Sequence, residues 1–191
     1  MEFIFATNNP NKVNEVKQLI KSTIKIVSLK DINFNEELEE TGKTLEDNAL
    51  QKAIFIFNKY NLPCFADDSG LEIEALNNQP GVLSARYAGD QKNAIDNMNK
   101  VLMEMKKISN RSCSFKTTIS LIIGNKSYLF TGEIKGSITK EKRGENGFGY
   151  DPLFLPLNHN KTFGEMNLAE KNKISHRAIA VNKLCEFLNT L

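Results

Sequence analysis

The chain has 191 residues and a mass of 21.5 kDa, of which 40% are hydrophobic, enough to bury a core without disulfides. A formal charge of +2, from 25 basic and 23 acidic residues spread along the chain, excludes the strong field that marks a nucleic-acid binder. Cys64, Cys113 and Cys185 form no CxxC pair and read as reduced cysteines of a cytoplasmic protein, while the N-terminal MEFIFATNN is neither a signal-peptide core nor a membrane span.

In chain order, EFIFA at residues 2 to 6 predicts a strand. It runs through the turn-rich TNNPNK into a helix bearing Val13, Val16 and Ile20. IKIVSL at 24 to 29 reads as a second strand. Thr44 and Asp47 resemble a capping box, with Asp for the usual Glu, opening a helix striped by Leu45, Ala49, Ala53 and Ile56 and ending near Asn61 to Pro63. PCFA then predicts a short buried strand, DDSG a turn, and LEIEAL a separate half-exposed strand from the alternation of Leu71, Ile73 and Ala75 with Glu72 and Glu74. A surface helix over 91 to 107 is expected from Ile95, Met98, Val101, Leu102 and Met105. Two long β-prone runs flank Gly124-Asn125, a hairpin signal, and a glycine-rich segment leads to a last helix carrying Ala178, Val181, Cys185 and Leu188, with Ser175 as its N-cap. The order β-α-β-α-β-β-α-β-β-α predicts a mixed α/β protein with a parallel-leaning half and an antiparallel hairpin.

Several segments bear chemistry. The doublet Asp67-Asp68 lies beyond a buried strand, where α/β proteins collect ligands, although DD alone also reads as a solvated turn. In a regular strand the two carboxylates would face opposite ways, so one is expected to be primary and the other supporting. TNNPNK places amides and Lys12 at a helix mouth suited to phosphate, but it is not a Walker A loop, and TGKT at 41 to 44 fails that motif because Glu37 stands where its first glycine belongs. GENGFGYDP offers glycines for close backbone approach and Phe148 and Tyr150 for stacking on a base. His176 and Arg177 put cationic or hydrogen-bonding groups in the first turn of a helix, against its dipole, which asks for a functional reason. The acidic run NEELEETG could supply one magnesium ligand beside an aspartate of the doublet.

Together TNNPNK, EETG, FADDSGLEIEAL, PGVLSARYAG, GENGFGYDPLFLP and KNKISHR occur in the order and at the separations of one family. The chain resembles the inosine triphosphate pyrophosphatases, the Ham1 or RdgB-like nucleoside-triphosphate pyrophosphatases, across residues 3 to 188. The resemblance implies a single domain over 1 to 191, elongated and two-lobed around a long mixed β-sheet with flanking helices and with the active site in the cleft between lobes. It further implies Mg2+-dependent hydrolysis of dITP, ITP and XTP to the monophosphate and pyrophosphate by a cytoplasmic homodimer, with no nucleic-acid or membrane partner. By the same resemblance Thr7, Asn8, Asn9, Pro10, Asn11 and Lys12 hold the triphosphate, and Glu39 and Asp68 hold magnesium. Asp68 is also the general base, and Ser69 touches substrate. Phe148, Gly149, Tyr150 and Asp151 form the base-side loop, while Lys171, His176 and Arg177 recognise the purine. Asn8 stands where many members have glycine.

On this reading buried donors meet the 6-keto oxygen of hypoxanthine or xanthine and are left unpaired by adenine, a mismatch that can supply discrimination of about 10^4. The alternatives are a Maf-type pyrophosphatase acting on other nucleotides and a sensor that binds nucleotide without hydrolysis.

Overall fold

The computed structural model describes residues 1–20 and 24–190. Its elements run β1 (Glu2–Phe5), α1 (Pro10–Leu19), β2 (Lys25–Ser28), α2 (Leu45–Tyr60), β3 (Cys64–Ile73), β4 (Gln79–Pro80), α3 (Ala94–Glu104), β5 (Ser112–Ile123), β6 (Lys126–Ile138), β7 (Phe154–Pro156), α4 (Leu168–Lys171) and α5 (His176–Leu188). The strands form one mixed sheet in the order β2-β1-β3-β5-β6-β7, with β4 paired to β3. β1 runs parallel to both β2 and β3, whereas β4 and β7 are antiparallel to their neighbours. The expected mixed α/β architecture is the one observed.

Local chemistry sets the helix ends. Asn9 caps α1, its side-chain oxygen accepting from the backbone N–H groups of Asn11 and Lys12, and Pro10 occupies the first turn, where its missing N–H costs nothing. The Thr44 side chain accepts from Asp47 N to open α2, and Asn61 in the left-handed conformation closes it. Asn93 caps α3, which is shorter than the expected span. Gly124 (φ 56°) turns β5 into β6 over the two residues expected of a hairpin. The helix α5 begins directly after Ser175.

Two expectations fail. DDSG is no turn, because β3 passes unbroken from Cys64 to Ile73 and absorbs both PCFA and most of LEIEAL. A chain this buried supports an extended path where turn-forming residue types alone suggest a bend. Ile95, assigned to the buried stripe of α3, is 57% exposed, while Met98, Val101 and Met105 carry the packing.

The contacts divide the chain into two compact units, the first comprising Met1–Asp68, Thr117–Gly132 and Arg177–Leu191, the second Ser69–Lys116 and Glu133–His176. In the first, alternate residues of β3 feed two cores. Phe65 joins Phe3, Phe5, Val16 and Val181 on the side of α1 and α5, and its ring stacks on Phe5 at 4.6 Å between centroids. Cys64 and Ala66 join Ile4, Ala6, Ala53 and Ile56 on the side of α2. Within the second unit Leu71 and Ile73 pack with Met98, Val101, Phe115, Phe154 and Phe163. The Ser84 hydroxyl accepts from Leu71 N and donates to Gly81 O, drawing the segment after β4 against β3.

A Cβ at Gly70 would stand 2.5 Å from the carbonyl oxygen of Gly81. Gly70→Ala is therefore expected to cost about 1–3 kcal/mol in urea unfolding, the range for overpacking. Ser120→Ala, which removes a buried hydroxyl that makes no hydrogen bond among the described residues, is expected to leave the midpoint unchanged or raise it.

Candidate active site

The pleat of β3 continues past Ala66, so Asp67 falls on the α1–α5 side and Asp68 on the α2 side. Both are buried, at 0% and 6% exposure. Their surroundings differ in kind.

Asp67 sits between two cations. Lys12 Nζ donates to its Oδ1 at 3.0 Å, and Arg177 Nε donates to its Oδ2 at 3.1 Å. Burial alone would raise the Asp67 pKa, but Lys12 and Arg177 outweigh it and hold the carboxyl well below the usual carboxylate range. Arg177 is 1% exposed, and its Nη1 donates to Glu15, a buried residue of α1. Desolvation lowers the Lys12 pKa despite Asp67 beside it.

Asp68 is held by α2. Asn48 Nδ2 donates to its Oδ2 at 2.9 Å, and Lys52 Nζ lies 3.9 Å from its Oδ1 while also bonding Glu40. Burial raises the Asp68 pKa, Lys52 and Lys12 only partly relieve it, and Glu40 pushes it further up. Lys52 itself, though 4% exposed, is raised because Asp68 and Glu40 offset its desolvation. Asn48 ties the acidic loop to this carboxylate, since its Oδ1 accepts from Gly42 N at 2.8 Å.

The residues expected to hold the triphosphate lie just before and at the start of α1. Thr7 Oγ1 accepts from Asn9 N, Asn8 Nδ2 donates to Glu36 O at 2.9 Å, and the N–H groups of Asn11 and Lys12 are already taken by the Asn9 cap. The Lys12 ammonium is thus this segment's cation, and the backbone N–H groups of Asn11 and Lys12 are engaged by the cap. Ser69 follows as a half-buried residue of β3.

In the second unit Asp151 organises the glycine-rich loop expected to face the base. Its Oδ2 accepts from Phe148 N at 2.8 Å and from Lys171 Nζ at 2.6 Å. Gly147 takes φ 75° with its Cα against the Asp151 carboxylate, where a Cβ has no room, and Gly149 takes φ 63°. Lys171 lies 4.9 Å from the centroid of the half-buried Phe148 ring. Tyr150 is different: its ring is buried in the core and its hydroxyl donates to Ser84 O at 2.8 Å, so of the two aromatics expected to stack on a base, only Phe148 retains an accessible face. His176 lies flat against Phe115 at 4.7 Å and is 3% exposed, so it and Arg177 are buried groups rather than surface polar residues.

Sequence reasoning missed Glu15, Asn48, Lys52 and Glu40. Their signal was weak but present: Asn48 and Lys52 stand four apart in α2 beside the stripe Leu45, Ala49, Ala53 and Ile56, and Glu15 precedes Val16 on a buried part of α1. Glu39, the expected magnesium ligand, is exposed, and its neighbour Glu40 is the residue that Lys52 connects to Asp68.

Among the described residues no cluster of three His, Cys, Asp or Glu side chains forms a metal cage. The donor set nevertheless fits magnesium, which needs only one or two carboxylates when substrate phosphates and waters complete its shell. Asp68 is a hard oxygen donor whose charge is incompletely compensated, the condition that an added cation relieves.

A sequence profile of the Ham1 family matches residues 3–187. The chain belongs to the Ham1 family. It is 52% identical over 188 residues to a dITP/XTP pyrophosphatase of Flavobacterium johnsoniae, covering 98% of each chain, and 46% identical over 191 residues to one of Bacillus subtilis, covering 98% of this chain and 96% of that one. The fold matches the Ham1 protein of Staphylococcus aureus (TM-score 0.90, 37% identity, covering 100% of this chain and 99% of that one). It also matches that of Coxiella burnetii (TM-score 0.91, 38% identity, full coverage of both). This member of the Ham1 family thus keeps the fold end to end.

The two aspartates carry opposite pH signatures. Asp67 has a folded pKa below its unfolded value, so its stabilisation is complete above the ordinary aspartate value and is lost as pH falls below about 4. Asp68 has a raised folded pKa, so its ionisation costs stability at neutral pH and the cost disappears on acidification. Urea unfolding between pH 7 and about pH 3 is expected to show Asp67→Asn losing about 3–5 kcal/mol at pH 7 with a shallower acid decline, while Asp68→Asn is as stable as wild type or more so.

Proposed function

We propose a division of labour for this chain as a hydrolase of deaminated purine nucleoside triphosphates, dITP, ITP and XTP, producing the monophosphate and pyrophosphate and cleansing the nucleotide pool. The reading is supported by the activity named for the relatives in Flavobacterium johnsoniae and Bacillus subtilis, and the observation that carries the mechanism is the environment of Asp68.

Asp68 takes the proton of the water that attacks the α-phosphorus. A carboxylate whose pKa is raised by burial is a stronger base than an exposed one, and the Asn48 amide fixes the oxygen it does not use for the proton. Lys12 receives the β and γ phosphates, and Lys52 lends its charge to the oxygens that become pyrophosphate. Thr7, Asn8, Asn9, Pro10 and Asn11 shape the approach to Lys12, and Ser69 contacts the substrate beside Asp68. Magnesium, held by Asp68 and Glu39, supplies charge neutralisation for the phosphates when bound.

In the second unit Phe148 offers a ring for the purine, with Gly149 allowing close backbone approach, and Lys171 and His176 supply donors for a 6-keto oxygen. Asp151 holds Lys171 and the Phe148 backbone, and Tyr150 anchors that loop from within the core. Arg177, whose Nε and Nη1 bond Asp67 and Glu15, completes the purine-recognition set with Lys171 and His176. Cytoplasmic location, one functional domain and a homodimer complete the proposal.

Asp68→Asn is expected to abolish pyrophosphate release from dITP in the presence of magnesium while leaving the melting temperature nearly unchanged. Turnover within a few fold of wild type would remove Asp68 from the chemistry.

A further inference from the structure

Lys12 and Glu15 stand three residues apart on α1, so both project from one side of that helix. Each enters the same buried chain of charges from a different end. Lys12 Nζ donates to Asp67 Oδ1 at 3.0 Å and reaches Asp67 O at 3.5 Å, Arg177 Nε donates to Asp67 Oδ2 at 3.1 Å, and Arg177 Nη1 donates to Glu15 Oε2. The links close a ring: α1, Lys12, Asp67 on β3, Arg177 on α5, Glu15 and α1 again. Two cations and two carboxylates alternate around it; Asp67, Arg177 and Glu15 are almost wholly removed from water, while the Lys12 side chain keeps 13% exposure. Each buried ion costs several kcal/mol in desolvation unless its partners are well placed, so the members of such a ring hold one another in position.

We propose that Glu15 is a positioning residue for the triphosphate: by fixing the Arg177 guanidinium against Asp67, it fixes the one carboxylate that aims the Lys12 ammonium. The inference rests on the assignment of Lys12 to the β and γ phosphates. Glu15 is 3% exposed, so its part is played through Arg177. Without its charge, Arg177 loses a carboxylate partner, the Asp67 carboxylate turns toward the guanidinium, and the Lys12 ammonium loses the acceptor that orients it. The larger consequence falls on the phosphate end of the ligand, because the base-side groups Phe148, Asp151 and Lys171 keep their own ion pair and loop.

The test uses the full-length protein with magnesium, dITP as substrate, and inorganic pyrophosphate and dIMP as separate product inhibitors. Glu15→Gln is expected to raise both the KM for dITP and the inhibition constant of pyrophosphate about tenfold, the scale of one lost charge-assisted hydrogen bond. Inhibition by dIMP and kcat should stay within about threefold of wild type. Glu15→Asp keeps the buried charge but shortens the reach, so it protects the test against failure of Glu15→Gln to fold, and it should show the same selectivity at smaller amplitude. Equal weakening of pyrophosphate and dIMP would indicate general loosening and overturn the inference, as would no change in either. Lys12→Met separates the two layers of the argument. Loss of pyrophosphate inhibition in Lys12→Met but not in the Glu15 variants would remove only the role of Glu15, whereas normal inhibition in Lys12→Met would remove the triphosphate assignment and the inference with it.

Discussion

Everything in the first unit depends on the alternation of one strand. Because β3 stays extended through Asp67 and Asp68, two carboxylates adjacent in sequence are turned toward opposite layers of the fold. One layer, α1 with α5, presents Lys12 and Arg177. The other, α2, presents Asn48 and Lys52. A turn at this place, as the residue types suggest, would have let both acids face one solvent-exposed side and ionise in the ordinary way.

The two environments push in different directions for a simple reason of charge balance. Asp67 has two cations in direct contact, and its ionised form is the stable one. Asp68 has a neutral amide in contact and an ammonium at 3.9 Å that it shares with Glu40, so burial wins and its basicity rises. A carboxyl of lowered pKa and one of raised pKa are produced from the same side chain by what the neighbouring helices carry.

Much of this was legible in the chain. The strands β1, β2, β5 and β6, the four described helices of ten or more residues and the two-residue hairpin follow from periodicity, caps and a glycine, which are local properties. The opposed facing of Asp67 and Asp68 also follows from the strand period, and recognition of the spaced motifs found the family. What stayed hidden is non-local. That Glu15 meets Arg177, 162 positions away, or that Asn48 meets Asp68, depends on which helix packs over which face of the sheet. Burial of His176 and Arg177 was unreadable for the same reason, because their hydrophilic types suggest exposure until Phe115 and Asp67 are known to lie beside them. Tyr150 illustrates the converse: an aromatic in a glycine-rich loop reads as a stacking surface, yet the Ser84 carbonyl draws its hydroxyl inward.

The central claim is that neighbouring aspartates have their pKa values shifted in opposite directions. Carboxyl-carbon NMR of the protein, with Asp67→Asn and Asp68→Asn used to assign the two signals, reads this directly. The account predicts that the Asp67 carboxyl stays ionised down to the pH at which the fold is lost, while Asp68 titrates above the 3.8 of an ordinary aspartate. Two carboxyls titrating together near that value, or in the reverse order, would contradict it.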